Sequence, residues 1–276
     1  MNHDITVWVD RRPMPDETLH GDQVAEFRGG KGANQIVAAA RLGASTAMIG
    51  CVGTDPRGHF LIEGLELDSV DVSGVSRIES PTGVALITVD PGDVSIIVVA
   101  GANGDVAVDH IDAHSALIAD ADVLLLQGEI PSGPARRAAE IAKESGCLVV
   151  FNPAPFNEVA EVVAPLADVI IVNRNESIQL GDISAGLVVT TLGQGGCDVT
   201  TSDGTVHIAP FDADVVDPTG AGDAFAAALG VGLADGLAPV DAARFANASG
   251  SLAVGVAGAQ PSLPTRAQVE ERLASD

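Results

Sequence analysis

The segment Asp217-Pro218-Thr219-Gly220-Ala221-Gly222-Asp223 places two glycines and two carboxylates in one short turn and runs directly into the apolar stretch Ala224–Leu229. Glycines ahead of a helix let several backbone N–H groups point at one spot, where the positive end of the helix dipole adds to them. Gly220, Ala221 and Gly222 are therefore candidates for an anion hole. An acid in the same turn repels a resting anion, which leaves two descriptions of Asp223. It takes the proton from a hydroxyl that attacks phosphorus, or it caps a helix while the glycines turn a loop.

A second segment, Gly29-Gly30-Lys31-Gly32-Ala33-Asn34-Gln35, leads into the small-residue stretch Ile36–Leu42. Lys31 is one of only two lysines, the other being Lys143, and it lies beside the amide donor Asn34. Such a pair suits a polyol; a flexible loop with a solvated lysine is the plainer alternative. The spacing is not that of a Walker A loop, which needs Gly-x-x-x-x-Gly-Lys-Ser/Thr.

These residues need a scaffold. From about residue 120, short apolar runs at Val123–Leu126, Leu148–Phe151, Val169–Val172 and Leu187–Thr191 alternate with helical patterns such as Pro134–Ser145, closed by Gly146, and Glu158–Leu166. Runs that are polar on neither side predict strands buried on both faces, hence a mainly parallel sheet flanked by helices on both faces. The first hundred residues differ. Ile5, Val7 and Val9 alternate with Thr6, Trp8 and Asp10, and Val84–Val89 turns through Asp90-Pro91-Gly92-Asp93 into Ser95–Val99. Alternation predicts strands with one buried face. The expectation is one α/β domain over residues 1–276 with a small β-sheet lid, its strands interleaved at about 4–28 and 82–100. The helix Ala33–Leu42 belongs to the main body.

The chain has 276 residues, a net charge of −24 and 46% hydrophobic residues. That composition can bury a sizeable core. The acidic excess repels phosphate backbones and anionic lipid headgroups at long range, so neither nucleic acid nor membrane is an expected partner. No basic stretch precedes an apolar one near Met1, and no apolar run approaches the length that spans a bilayer, which predicts a cytoplasmic protein. Cys51, Cys147 and Cys197 lie far apart, with the spacing of neither a disulfide framework nor a zinc site, and are expected in the core.

Together the two glycine segments resemble the two signature regions of the PfkB carbohydrate kinase family, also called the ribokinase family. The resemblance spans nearly the whole chain. It includes Val52-Gly53-x-Asp55 with Gly58, Gly101-Ala102-Asn103, Leu126-Gln127-x-Glu129, Asn152-Pro153-Ala154, Asn173-x-x-Glu176, Thr191-Leu192-Gly193, and Phe245-Ala246-Asn247 followed by Gly258-Ala259-Gln260-Pro261-Ser262. It implies a ribokinase-like α/β fold and ATP-dependent phosphorylation of a sugar hydroxyl, with the 5-hydroxyl of D-ribose as the leading substrate. Asp223 resembles the family's catalytic base, and Gly220, Ala221 and Gly222 its anion hole. Asn2, Asp4, Gly30, Lys31, Asn34, Glu129 and Asp217 match sugar-contacting positions. Asn173 and Glu176 match the motif that organises Mg²⁺ and phosphate; Thr191, Gly193, Gly196 and Asn247 match the nucleotide pocket. Asp217, Thr219, Ala253, Val256, Gly258 and Ser262 match a monovalent-cation site suited to K⁺. A homodimer formed through the lid is the expected assembly. Another sugar or a nucleoside as substrate, or a non-catalytic sugar-binding relative, are the rival readings.

One departure stands out. The family begins with an apolar strand ending in Gly ahead of its Asn-x-Asp, whereas here Asn2-His3-Asp4 follows Met1 directly. The expectation is a sheet lacking that element, with Asn2 and Asp4 on a frayed terminus.

Overall fold

In the computed structural model, which describes residues 1–91, 93–181 and 185–275, the chain opens in a paired strand. β1 (Asn2–Trp8) lies antiparallel to β2 (Gln23–Gly29) and parallel to β5 (Val84–Asp90), and β6 (Asp93–Val99) completes a four-stranded sheet in the order β2-β1-β5-β6. The turn expected between β5 and β6 includes Gly92, outside the described residues. Of the two sides that alternate along β1, the structure covers the polar one. Asn2, Asp4 and Thr6 are covered, while Ile5 and Val7 stay partly exposed. On this polar side Asn2 reaches Asn103 and Glu129. The terminus is also not frayed: Met1 and Asn2 are 4% and 2% exposed, and the His3 N–H donates to the Gly83 carbonyl at 2.8 Å.

After the lid's first two strands, α1 (Lys31–Arg41) begins two residues earlier than its pattern predicts, because Gly30 at φ +89° turns the chain directly into it. β3 (Ala47–Gly53), α2 (Pro56–Leu67) and β4 (Asp71–Ile78) follow, and β3 and β4 form a separate two-stranded parallel sheet that the sequence patterns did not single out. Asp55 caps α2 by accepting from the Gly58 N–H at 2.9 Å.

The main sheet holds six strands in the order β12-β11-β10-β9-β8-β7. β7 (Val123–Leu126), β8 (Leu148–Phe151), β9 (Val169–Asn173) and β10 (Leu187–Thr191) are parallel, as their apolar runs predict; β11 (Cys197–Thr201) and β12 (Gly204–Ile208) add an antiparallel edge. Successive residues point to opposite faces. Val150, Val169 and Ile171 pack with α1, α8 (Ala221–Ala234) and α9 (Pro239–Ala253), whereas Val149, Phe151 and Ile170 pack with α5 (Ser132–Ser145) and α6 (Val159–Val163). Short α3 (Val108–Ala113) and α4 (Ser115–Ala119) precede β7, α7 (Arg174–Leu180) follows β9, and α10 (Ala259–Ser262) and α11 (Arg266–Ala274) come last. All three cysteines are free and buried. No helix among the described residues is long and apolar enough to cross a membrane.

Candidate active site

Asp223 is the third residue of α8 and is buried. Gly220, not Asp223, is the residue that caps this helix, at φ +82° in the left-handed region that a side chain resists. A Cβ there would also stand 3.0 Å from the Ala259 Cα. The capping alternative for Asp223 is therefore excluded. Its carboxylate instead turns toward α1: Asn34 Nδ2 donates to Oδ2 at 2.8 Å and Gln35 Nε2 to Oδ1 at 3.1 Å. Gln35 is itself held by Gln127 Nε2, which donates to its Oε1 at 2.6 Å. Asn34 thus gives its amide N–H to the acid, and its buried Oδ1 has no protein partner.

The end of the lid brings a second group of polar residues to the same place. Asn103 Oδ1 accepts from the Met1 ammonium at 2.9 Å, and its Nδ2 donates to the Met1 carbonyl and to Asn2 Oδ1. Asn2 Nδ2 lies 3.4 Å from Glu129 Oε1, and the Lys31 backbone N–H donates to Glu129 Oε2 at 2.8 Å. Asp4 is buried beside them with its Oδ1 unpartnered. Burial, helped by the neighbouring Glu129 and Asp223 charges and opposed by the Met1 ammonium, pushes the Asp4 carboxyl up to about 7. Gly29 leaves the room this requires, since a Cβ there would overlap the Asp4 carboxylate. Likewise a Cβ on Gly30 would come within 2.6 Å of the Asn2 nitrogen.

Asp217 sits in the loop entering α8 with both oxygens engaged, Oδ1 by the Thr219 N–H at 2.9 Å and Oδ2 by the Gly258 N–H at 2.8 Å. Burial pushes its carboxyl up, but the bonds from Thr219 and Gly258 outweigh that and hold it below its ordinary value. The Val216 and Asp217 N–H groups donate to the Val254 carbonyl, so this loop is tied to the end of α9, where Ala253 and Val256 lie. Ser262 donates to the Ala259 carbonyl at 2.7 Å in the neighbouring turn.

Asn173 and Glu176 form a reciprocal cap on α7. Asn173 Oδ1 accepts from the Asn175 and Glu176 N–H groups, and Glu176 Oε2 accepts from the Asn173 N–H, each at 2.9 Å. Thr191 ends β10, and Gly193 and Gly196 follow at φ +59° and +81°. A Cβ on Gly196 would overlap the Ile208 carbonyl. Asn247 Nδ2 donates to the Ala209 carbonyl at 2.7 Å, which ties α9 to the segment after β12.

A model of the pfkB family of carbohydrate kinases matches residues 1–266. The chain belongs to that family. Over 280 residues it is 36% identical to the ribokinase of Bacillus subtilis, covering 98% of this chain and 96% of that one. It is also 36% identical to the bifunctional ribokinase/ribose-5-phosphate isomerase A of Fructilactobacillus sanfranciscensis, of which it spans only 53%. The Arabidopsis thaliana ribokinase complexed with ribose and ATP superposes with a TM-score of 0.87 at 29% identity, covering 99% of this chain and 96% of that one. The chain therefore has the ribokinase-like α/β fold, and it is a carbohydrate kinase.

Within this pfkB frame, two side chains matter that the motif reading quoted without a role. Gln35 shares the Asp223 carboxylate with Asn34; its place next to Asn34 at the start of a helix was the available signal. Asn103 clamps Met1 and Asn2, and nothing in its local sequence announces a partner about a hundred positions away.

Proposed function

We propose that the chain transfers the γ-phosphoryl group of ATP to the 5-hydroxyl of D-ribose, giving ribose 5-phosphate and ADP. The observation that carries this reading is a pair of buried acceptors without protein partners, Asp4 Oδ1 and Asn34 Oδ1, beside the Asp223 carboxylate. Buried polar atoms are rarely left unpaired, and a polyol supplies the hydroxyl donors these two need. Asn2, Asp4, Gly30, Lys31, Asn34, Glu129 and Asp217 line or support the sugar site. Asp223 accepts the proton of the 5-hydroxyl as that oxygen bonds to the γ-phosphorus; the bond from phosphorus to the bridging oxygen breaks, and its electron pair leaves on ADP. The backbone N–H groups of Gly220, Ala221 and Gly222, at the positive end of α8, stabilise charge on the transferred group.

Thr191, Gly193, Gly196 and Asn247 shape the nucleotide pocket in this reading. Glu176, a partly exposed carboxylate on the first turn of α7, and Asn173 have the hard oxygens that suit a hydrated Mg²⁺. That ion would neutralise phosphate charge in a protein whose own charge is strongly negative. The loop of Asp217, Thr219, Ala253, Val256, Gly258 and Ser262 offers one carboxylate and otherwise neutral oxygens, a set suited to K⁺. The lid's strand β6 leaves Ile96, Ile97, Val98 and Val99 exposed on both of its faces, with Leu86 of β5 exposed opposite Ile97, which supports pairing with a second copy there. The absence of a membrane-crossing helix among the described residues is consistent with a cytoplasmic setting.

Asp223→Asn tests the chemistry. It keeps the side chain's size and removes the base, so kcat falls by about 10²-fold to 10⁴-fold while ribose affinity, measured by calorimetry, is retained. Near-normal turnover in this variant would overturn the role given to Asp223.

A further inference from the structure

Asn173 and Thr191 are directly paired at the carboxyl ends of the neighbouring parallel strands β9 and β10, so the chain leaves the sheet twice at one place. Ligands of open α/β sheets lie beyond such ends. Arg174 follows Asn173 as the first residue of α7, is exposed, and reaches across to the other exit. Its Nη2 lies 3.9 Å from where a Cβ on Gly195 would stand, so the guanidinium rests against the turn that holds Gly193 and Gly196.

The local structure makes no use of this arginine. Among the described residues it has neither a hydrogen bond nor an ion pair, and Glu176 nearby spends its Oε2 on the Asn173 N–H. A cation in the first turn also meets the positive end of the helix dipole, which disfavours it. Arg28, Arg41, Arg137 and Arg266 differ, each holding a carboxylate in a chain where 38 acidic residues face 14 basic ones. An unpaired cation at a local cost marks a functional position. The residues assigned above to the nucleotide pocket, the Mg²⁺ and the anion hole include no cation, although a nucleotide triphosphate is polyanionic.

We propose that Arg174 binds a phosphate that stays on the nucleotide, the α- or β-phosphate of ATP and of the product ADP, through its planar fork of N–H donors. The γ-phosphoryl group goes to the backbone N–H groups that begin α8, which leaves the retained phosphates to the side of β9 and β10. A contact with a retained phosphate is equally strong before and during transfer, so it tightens binding without speeding the chemical step. The proposal rests on ATP as the phosphoryl donor.

The test is calorimetry on the whole chain with ADP, ATP and adenosine as separate ligands, together with steady-state kinetics. Arg174→Ala should weaken ADP and ATP binding by about tenfold to a hundredfold each, the loss of a hydrogen-bonded charge contact, and keep adenosine within about twofold. KM for ATP should rise with little change in kcat or in KM for ribose. Arg174→Lys keeps the charge but not the fork and should recover part of the affinity. Adenosine affinity falling in step with ADP would mean that Arg174 only shapes the turn, and would overturn the proposal. So would ADP and ATP affinities equal to those of the parent chain, or a fall in kcat with KM for ATP unchanged. A parent chain that binds neither ATP nor ADP would remove the donor reading itself, and the proposal with it.

Discussion

Asp4 carries the most testable electrostatics of the site, because a buried carboxyl beside Glu129 and Asp223 holds its proton to about 7 against an ordinary 3.8. Between those two pH values the folded chain binds a proton at this position that the unfolded chain has released. Folding stability therefore declines across that window as pH rises, and the decline is complete above the folded value. Asp4→Asn cannot ionise, so this contribution disappears, and the variant's stability relative to the parent should climb from pH 3.8 to about 7. Denaturant titrations at several pH values measure the difference, and a difference that stays constant with pH would contradict the assignment. Ribose acts in the other direction. In the proposed site its hydroxyls would donate to the ionised carboxylate, so ribose should favour loss of the Asp4 proton.

At the scale of elements, the site is assembled where a lid strand, two helix starts and two glycine turns meet. Gly29, at the end of β2, is the tightest of these joints because its missing Cβ is the space that Asp4 occupies on β1. Gly29→Ala should displace Asp4, lower thermal stability by an overpacking cost of about 1–3 kcal/mol, and weaken ribose binding more than ATP binding. Equal losses for the two ligands, read by calorimetry, would mean that the joint is purely structural. Much of this assembly was legible in the sequence. The strands β7 to β10 were visible because strands buried on both faces are written as continuous apolar runs, and α5 because Gly146 stops it. The buried polar side of β1 was not visible, since alternation reports two different faces without saying which one the tertiary structure covers. The roles of Asn173 and Glu176 are mixed for a similar reason. An Asn-x-x-Glu at a helix start satisfies the backbone of α7 whether or not phosphate is near, so the local pattern serves a structural purpose before any functional one. Contacts between distant segments, such as Asn103 with Met1 or Gln127 with Gln35, carry no local signal at all.

The whole molecule carries a net charge of −24, and its proposed site itself gathers Asp4, Glu129, Asp217 and Asp223. Repulsion among so many like charges opposes the compact state. Raising ionic strength from 0.1 to 1 M shortens the screening length from about 10 Å to about 3 Å, so the melting temperature should increase over that range of KCl or NaCl. A flat profile would show that the acidic surface does not strain the fold. The central claim, that this carbohydrate kinase phosphorylates the 5-hydroxyl of D-ribose, is tested most directly by ATP-dependent ADP release with D-ribose compared with 5-deoxy-D-ribose. The deoxy sugar presents the remaining hydroxyls to the acceptors of the site but has no oxygen to receive the phosphoryl group. The account predicts ADP release and ribose 5-phosphate with D-ribose, and binding without ADP release above background for the deoxy sugar. Equal ADP release with both sugars, or binding of D-ribose with no ADP release, would contradict it.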